Sequence, residues 1–235
     1  MISKMSLKIN LSTKTIIKWS LWAVFGILLL VFFIRVALWE DAYYREKEGS
    51  ERAEVVSITT DPEEELIEVQ PTETEVQEYI VGPKRPRYLT IEKLGIYNSR
   101  IIPMGVNAKG ELATPNNIFD VGWYEASYAP GEGGTIVIDG HNGGPHVHGV
   151  FKDLPDLAEG DIIKIERGDG VVYRYSVVEN KSVLLVEANK YMSTAMRSPV
   201  AGKESVTLIS CTGEWSQTQR TYLSRQFTRA VLVEN

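Results

Sequence analysis

The chain has 235 residues, room for one or two ordinary domains, with 43% hydrophobic and 24% charged residues and a formal net charge of −6. That balance suits a globular chain with an extra segment attached, and without a dense basic stripe it disfavours a nucleic-acid partner. A single cysteine excludes an intramolecular disulfide framework, and in a chain facing an oxidising exterior it is a reactive group to account for.

The first 18 residues carry Lys4, Lys8, Lys14 and Lys18 and no acid. Residues 19–34 then read WSLWAVFGILLLVFFI, and after Arg35 the run continues as VALW to Trp39. That is about twenty residues, the length that carries a helix across a hydrocarbon core of roughly 30 Å. A signal peptide would be shorter, about 7 to 15 apolar residues, and would end in a small-x-small site, which IRVALWE at 34–40 does not offer. Trp19, Trp22 and Trp39 lie near the two ends, where amphipathic rings settle among headgroups, and Arg35 is close enough to an end to snorkel. The expectation is a basic cytoplasmic segment (1–18), a single-pass membrane anchor (19–39) and an extracytoplasmic remainder, oriented by the positive-inside rule.

Residues 40–86 are acidic. EEE at 63–65 with Glu68, Glu73, Glu75 and Glu78 outnumber Arg45, Lys47 and Arg52, and aromatics are few. Such a segment buries too little surface to repay its ordering entropy, so it is predicted to be a disordered, self-repelling stalk that acts as a spacer.

After PKRPR at 83–87 the texture changes to short apolar runs broken by Gly, Pro and Asn, and the folded domain is expected over 87–235, enough for one buried core. The runs are YLTI (88–91), RIIPM (100–104), TIVID (135–139), DIIKIE (161–166), VVYRYSVV (171–178), SVTLIS (205–210) and QFTRAVLV (226–233). Each has strand length and is rich in β-branched or aromatic residues. ERGDGVV at 166–172 sets a glycine-bearing turn between two of them, a predicted hairpin. Only 152–158 and about 187–197 look helical. Many short strands with long loops point to an all-β domain, a closed barrel or a sandwich.

Cys211 stands where the run SVTLIS gives out, with Thr212, Gly213 and Glu214 read as the loop after it. Buried cysteine is commonly a small hydrophobe. A strand end, however, is held by the sheet yet open at the rim, which suits a nucleophile. A thiol nucleophile needs a proton-transfer partner and a group to hold an oxyanion. All three histidines fall in GHNGGPHVHG at 140–149. His141 directly follows TIVID and is the better-fixed acid/base candidate, while His146 and His148 lie beyond two glycines and a proline. A zinc site built from Asp139, His141, His146 and His148 is a competing use of this loop, although the spacing is not a usual metal-ligand one. For the cation, arginine keeps its proton, and three follow the cysteine. Arg225 opens RQFTRAVLV and returns to the rim, Arg229 lies inside that strand and is read as pointing to solvent, and Arg220 in mid-loop is the reserve.

A strand-end GH, a TLxxC strand end and an arginine opening the final strand resemble the sortases. YLTIEKLGIYNSRIIPMGVNAKGELATPNNIFDVGWY resembles the opening of a sortase domain, especially the class F type, and VFKDLPDLAEGDIIKI resembles the helix and L-x-x-GD strand that follow the sortase histidine. The resemblance spans about 88–233. It implies an eight-stranded sortase-type closed β-barrel with short helices, and a cysteine transpeptidase that cleaves a C-terminal sorting signal, commonly of LPxTG type, and passes the acyl group to an amine of the cell wall or a pilin, without a cofactor. It assigns Cys211 as nucleophile, His141 as general acid/base and Arg225 as the oxyanion or substrate-positioning cation. Ser210 stands where many sortases carry Thr and keeps the hydroxyl, and Phe151 remains where relatives often have an aromatic pair. Loop 179–204 is expected to shape the substrate groove. Two rivals are an L,D-transpeptidase-like peptidoglycan enzyme, whose Ser-x-Gly-Cys motif is absent around Cys211, and a non-catalytic surface-tethered binding module.

Overall fold

A computed structural model of the chain describes residues 66–107 and 110–234, together with residue 29 and residues 32–36. Residues 32–36 are helical. Among the described residues no helix is long and apolar enough to cross a membrane; the expected anchor at 19–39 lies largely outside them, and the basic segment 1–18 entirely so.

From residue 86 onward the chain forms eight strands: β1 (Pro86–Ile91), β2 (Ile96–Met104), β3 (Val121–Tyr124), β4 (Thr135–Gly140), β5 (Ile162–Arg167), β6 (Val172–Leu184), β7 (Ser205–Ser216) and β8 (Thr221–Glu234). They close into a barrel in the order β1-β2-β3-β4-β7-β8-β6-β5. Pairs β2·β3 and β4·β7 are parallel and the remaining pairs antiparallel. The predicted β5–β6 hairpin is present: Gly170 turns at φ 81°, and the Asp169 carboxylate accepts from Arg167 and from the amide of Val171.

The strand predictions need three corrections. β3, VGWY, is a fully buried strand of four residues that carries no alternation to reveal it. β7 does not stop at Cys211, and β8 does not start at Arg225. Both run on past the barrel rim as a two-stranded ribbon, pairing Trp215 with Tyr222 and Ser216 with Thr221. Trp215, Tyr222 and Leu223 are scattered in that ribbon among Thr, Ser, Gly and Glu, so no apolar run announces it; Gly213, at φ 81°, sits where the register shifts between Thr212 and Trp215. Of the two predicted helices, the first is only a 3-10 turn at Leu154–Asp156.

The stalk prediction also ends too late in the chain. Residues 66–86 lie on the barrel, with a short helix α1 (Glu73–Gln77) started by a capping box between Thr72 and Glu75. The Tyr79 hydroxyl donates to the Ile101 carbonyl at 2.6 Å, Arg87 Nε donates to the Tyr79 carbonyl at 2.8 Å, and the Tyr88 hydroxyl reaches the Val76 carbonyl. Acidic composition denies this segment a core of its own. A strap that borrows partners from a finished barrel needs none.

Alternation on the strands splits the apolar residues between two cores. Ile136, Ile138, Val206, Leu208 and Ala230 point inward with Leu89, Trp123, Ile163 and Tyr175. Val137, Ile209, Phe227 and Val183 point outward and are covered by Ala188, Met192 and Ala195 of helix α2 (Leu185–Ala195). Both faces of β4 are therefore buried, which explains its unbroken apolar run. The Tyr191 ring meets Phe227 edge-on at 4.9 Å, and the Thr207 hydroxyl donates to the Ala195 carbonyl at 2.7 Å. These contacts place α2 one row below the residues singled out for chemistry.

Candidate active site

Ladder register sets Cys211 and Arg225 level and brings the end of β4 beside them. In the parallel β4·β7 pair, Asp139 faces Ile209, so two residues further along each chain come His141 and Cys211. In the antiparallel β7·β8 pair, Cys211 faces Arg225, and β6 continues the row with Val183. Adjacent strands lie about 4.8 Å apart. The period of two places Cys211, Arg225 and Val183 on the outer face, because Ile209 and Phe227 are there already. Burial along β7 is complete from Ser205 to Ser210 and relaxes at Cys211, which is half-buried and in no disulfide. The thiol thus sits at the rim inside a continuous strand, held by a ladder on both sides of it along the chain.

His141 begins the loop that leaves β4. Its Nε2 lies 2.8 Å from the Pro115 carbonyl. A carbonyl only accepts, so Nε2 carries the hydrogen and donates, and the lone pair of the neutral ring is on Nδ1. Burial pulls this imidazole below its ordinary range, with the Pro115 bond acting in the opposite direction. A neutral ring at neutral pH, with a free basic nitrogen, is the form that accepts a proton.

Asp139 explains how Pro115 comes to be there. Its carboxylate accepts from the Thr114 hydroxyl at 2.6 Å, which pins the segment next to Pro115. The carboxylate lies across Gly122 of β3, where a Cβ would come within 2.4 Å of Oδ1. Burial raises the Asp139 carboxyl to about 7 against the lowering effect of Thr114. Phe151 closes the barrel end beneath: its amide donates to the His141 carbonyl at 2.9 Å, and its ring fills the space a side chain at Gly140 would need.

The three arginines separate cleanly. Arg225 is 1% exposed and donates to the carbonyls of Tyr222 (2.9 Å) and Ser224 (3.1 Å) and to the Thr221 hydroxyl (3.2 Å). Arg229 does not point to solvent as expected. It is 6% exposed, pairs with Glu179, and donates to the Thr194 and Arg197 carbonyls at the end of α2, where a cation suits the helix dipole. Arg220 is exposed at the ribbon tip with φ 53°.

His146 and His148 are exposed, and among the described residues no three of His, Cys, Asp and Glu gather into a group that could hold a metal. The loop they belong to wraps a strap residue instead: Glu68 accepts from the amides of His146 (2.8 Å) and Val147 (3.1 Å). Sequence reasoning passed over Glu68, Thr114, Pro115 and Asn142. Pro115 acts through its carbonyl, which leaves no pattern in one sequence, and Asn142 through an amide that binds the Cys211 carbonyl at 2.9 Å, with adjacency to His141 as its one signal.

The fold and the site together define a closed β-barrel with a candidate thiol nucleophile at its rim. Residues 89–233, well over half of the chain, match the family model described as Sortase domain, so the chain belongs to the sortase family and is a cysteine transpeptidase. The L,D-transpeptidase and binding-module alternatives fall away with that match. Similar solved structures include a sortase D5 transpeptidase of Clostridium perfringens (22% identity, 70% of this chain and 91% of that chain, TM-score 0.46). A sortase C of Streptococcus pneumoniae (17%, 83% and 90%, TM-score 0.48) and a pilus-related sortase C of Group B Streptococcus (20%, 83% and 91%, TM-score 0.49) are also similar. At these values the likenesses bear on neither substrate nor partner. No curated protein sequence matches the chain.

Proposed function

We propose that this sortase is held in the cell membrane by residues 19–39, with the catalytic domain outside. Its substrates are surface proteins bearing a C-terminal LPxTG-like signal, which it cleaves between Thr and Gly before joining the new carboxyl end to an amine of the cell wall or a pilin lysine. Cys211 is the nucleophile. His141 Nδ1 takes the thiol proton as sulfur attacks the Thr carbonyl. The C–N bond breaks, the same proton leaves on the glycine amine, and a thioester remains. The acceptor amine then attacks that thioester, loses its proton to His141, and the thiol is restored. Arg225 donates to the oxyanion in both halves, a contribution of about 2.7–4 kcal/mol per donor in other acyl transfers. No cofactor enters the scheme.

The observation that supports this reading is the pairing of Cys211 with Arg225 across β7 and β8, with His141 directly after the end of β4, the other neighbour of β7. It is tested by incubating the full chain with LPxTG-ended peptides and amine acceptors and following the ligated product by mass spectrometry. The wild type is expected to form it, and Cys211→Ala to form none while melting at the same temperature. Ligated product from Cys211→Ala would refute the proposal.

A further inference from the structure

We infer that Asn142 is a positioning residue of the transpeptidation: with Ser210 it forms a reciprocal clasp that carries the β4·β7 register past the end of the ladder and keeps His141 level with Cys211. The inference rests on the roles proposed above for those two residues. The last ladder pair is Asp139 with Ile209, and β4 ends at Gly140. Beyond it the chain departs into the loop 141–151, and the main-chain ladder no longer sets where His141 stands relative to the thiol. Two side chains take over. The Ser210 hydroxyl, from the residue before the cysteine, donates to the carbonyl of Gly140, the residue before the histidine, at 3.0 Å. The Asn142 amide, from the residue after the histidine, donates to the carbonyl of the cysteine itself at 2.9 Å.

The two bonds therefore run in opposite directions between the same two chains, one on each side of His141. The loop's backbone bonds do something different: Gly149 donates to the Asn142 carbonyl at 2.8 Å, Phe151 to that of His141 at 2.9 Å and Gly144 to that of Val147 at 2.9 Å, which fold the loop upon itself, while Val150 donates to the Ile118 carbonyl at 2.9 Å and ties the loop's far end to the segment before β3. They stiffen the loop without locating it on β7. Chemistry also restricts the residue at 142. Its partner is a carbonyl, which only accepts, so an amide fits and a carboxylate of the same shape does not. Location matters because proton transfer needs hydrogen-bond reach, and a misplacement of about 1 Å costs on the order of 10²-fold in rate.

Asn142→Asp in the full 235-residue chain keeps the shape and removes the donor. The expected result is a fall in kcat of more than threefold, about 10- to 100-fold, with KM for the sorting peptide within twofold and a thermal midpoint within about 3 °C of wild type. Ser210→Thr, which keeps the hydroxyl, retains activity, and Ser210→Ala loses it. A kcat within threefold of wild type in Asn142→Asp, a loss carried by KM alone, or a larger drop in the thermal midpoint would overturn the inference. So would equal activity of Ser210→Thr and Ser210→Ala. A second readout needs no substrate: alkylation of Cys211 by iodoacetamide slows more than threefold in Asn142→Asp, because the imidazole is no longer held where it takes the thiol proton, and an unchanged rate overturns the clasp. If the wild type itself ligates no peptide, the function proposed above fails, and the alkylation readout still decides the clasp.

Discussion

Two ends of one sheet face use the same residue type in different ways. Under α2, Arg229 meets a carboxylate, Glu179, which also accepts from the Tyr191 hydroxyl at 2.8 Å. Burial pushes that carboxyl up, but the bonds from Tyr191 and Arg229 outweigh it and leave it below the ordinary range. Four residues earlier on the same strand, Arg225 is buried as deeply, yet its partners are two carbonyls and a hydroxyl. Dipoles satisfy a cation without cancelling its charge, so a positive field persists at the rim opposite Cys211. The lower end holds the helix in place, while the upper end keeps its charge beside Cys211.

The contrast can be broken at either end. The largest expected effect is on turnover: Arg225→Ala should lower kcat by about 10²–10³, the equivalent of about 2.7–4 kcal/mol, while Arg220→Ala stays near wild type. Steady-state ligation rates check this, and an equal loss from Arg220→Ala would move the role to the ribbon tip. Next, Arg229→Ala leaves Glu179 without its cation and the end of α2 without two donors, at a cost of about 3 kcal/mol in stability. Urea midpoints should register that loss, with activity per folded molecule preserved.

A third test concerns Asp139, which lies between the two ends. Its folded carboxyl titrates near 7 and its unfolded one near the ordinary 3.8. The raised value means the folded state binds the proton more tightly, so the stability it contributes is fully present below pH 3.8, falls as pH rises toward 7 and is gone above it. Asp139→Asn, which stays neutral, should therefore stabilise the chain by about 4 kcal/mol at pH 8 and by little near pH 4. Denaturation followed across that window gives the answer. The smallest expected effect is at the strap. Glu68→Ala removes the acceptor for two loop amides at about 1 kcal/mol, and hydrogen exchange should show faster loss of protection at His146 and Val147 than at β7.

Much of the barrel was legible because buried strands announce themselves by composition. TIVID and SVTLIS are apolar on both faces since a core lies on each side of them. The ribbon beyond Cys211 was not legible, because its apolar residues, Trp215, Tyr222 and Leu223, are scattered among polar ones and form no run, and VGWY is too short for alternation to appear. Arg229 was misread for a related reason: a charged residue in a strand ordinarily faces water, and only the fold brings Glu179 and the end of α2 to it. The strap was misread because composition reports whether a segment can build a core, and says nothing about whether it can lean on one.

The candidacy of Cys211, His141 and Arg225 and the all-β character of the domain were legible in the sequence alone, because side-chain chemistry and hydrophobic patterning are local properties. Tertiary structure alone decided that Cys211 and Arg225 face each other, that Pro115 dictates which nitrogen of His141 carries the hydrogen, and that Ser210 and Asn142 link the ends of β4 and β7. Those are consequences of register and of backbone carbonyls, which every residue possesses and which a sequence therefore cannot single out.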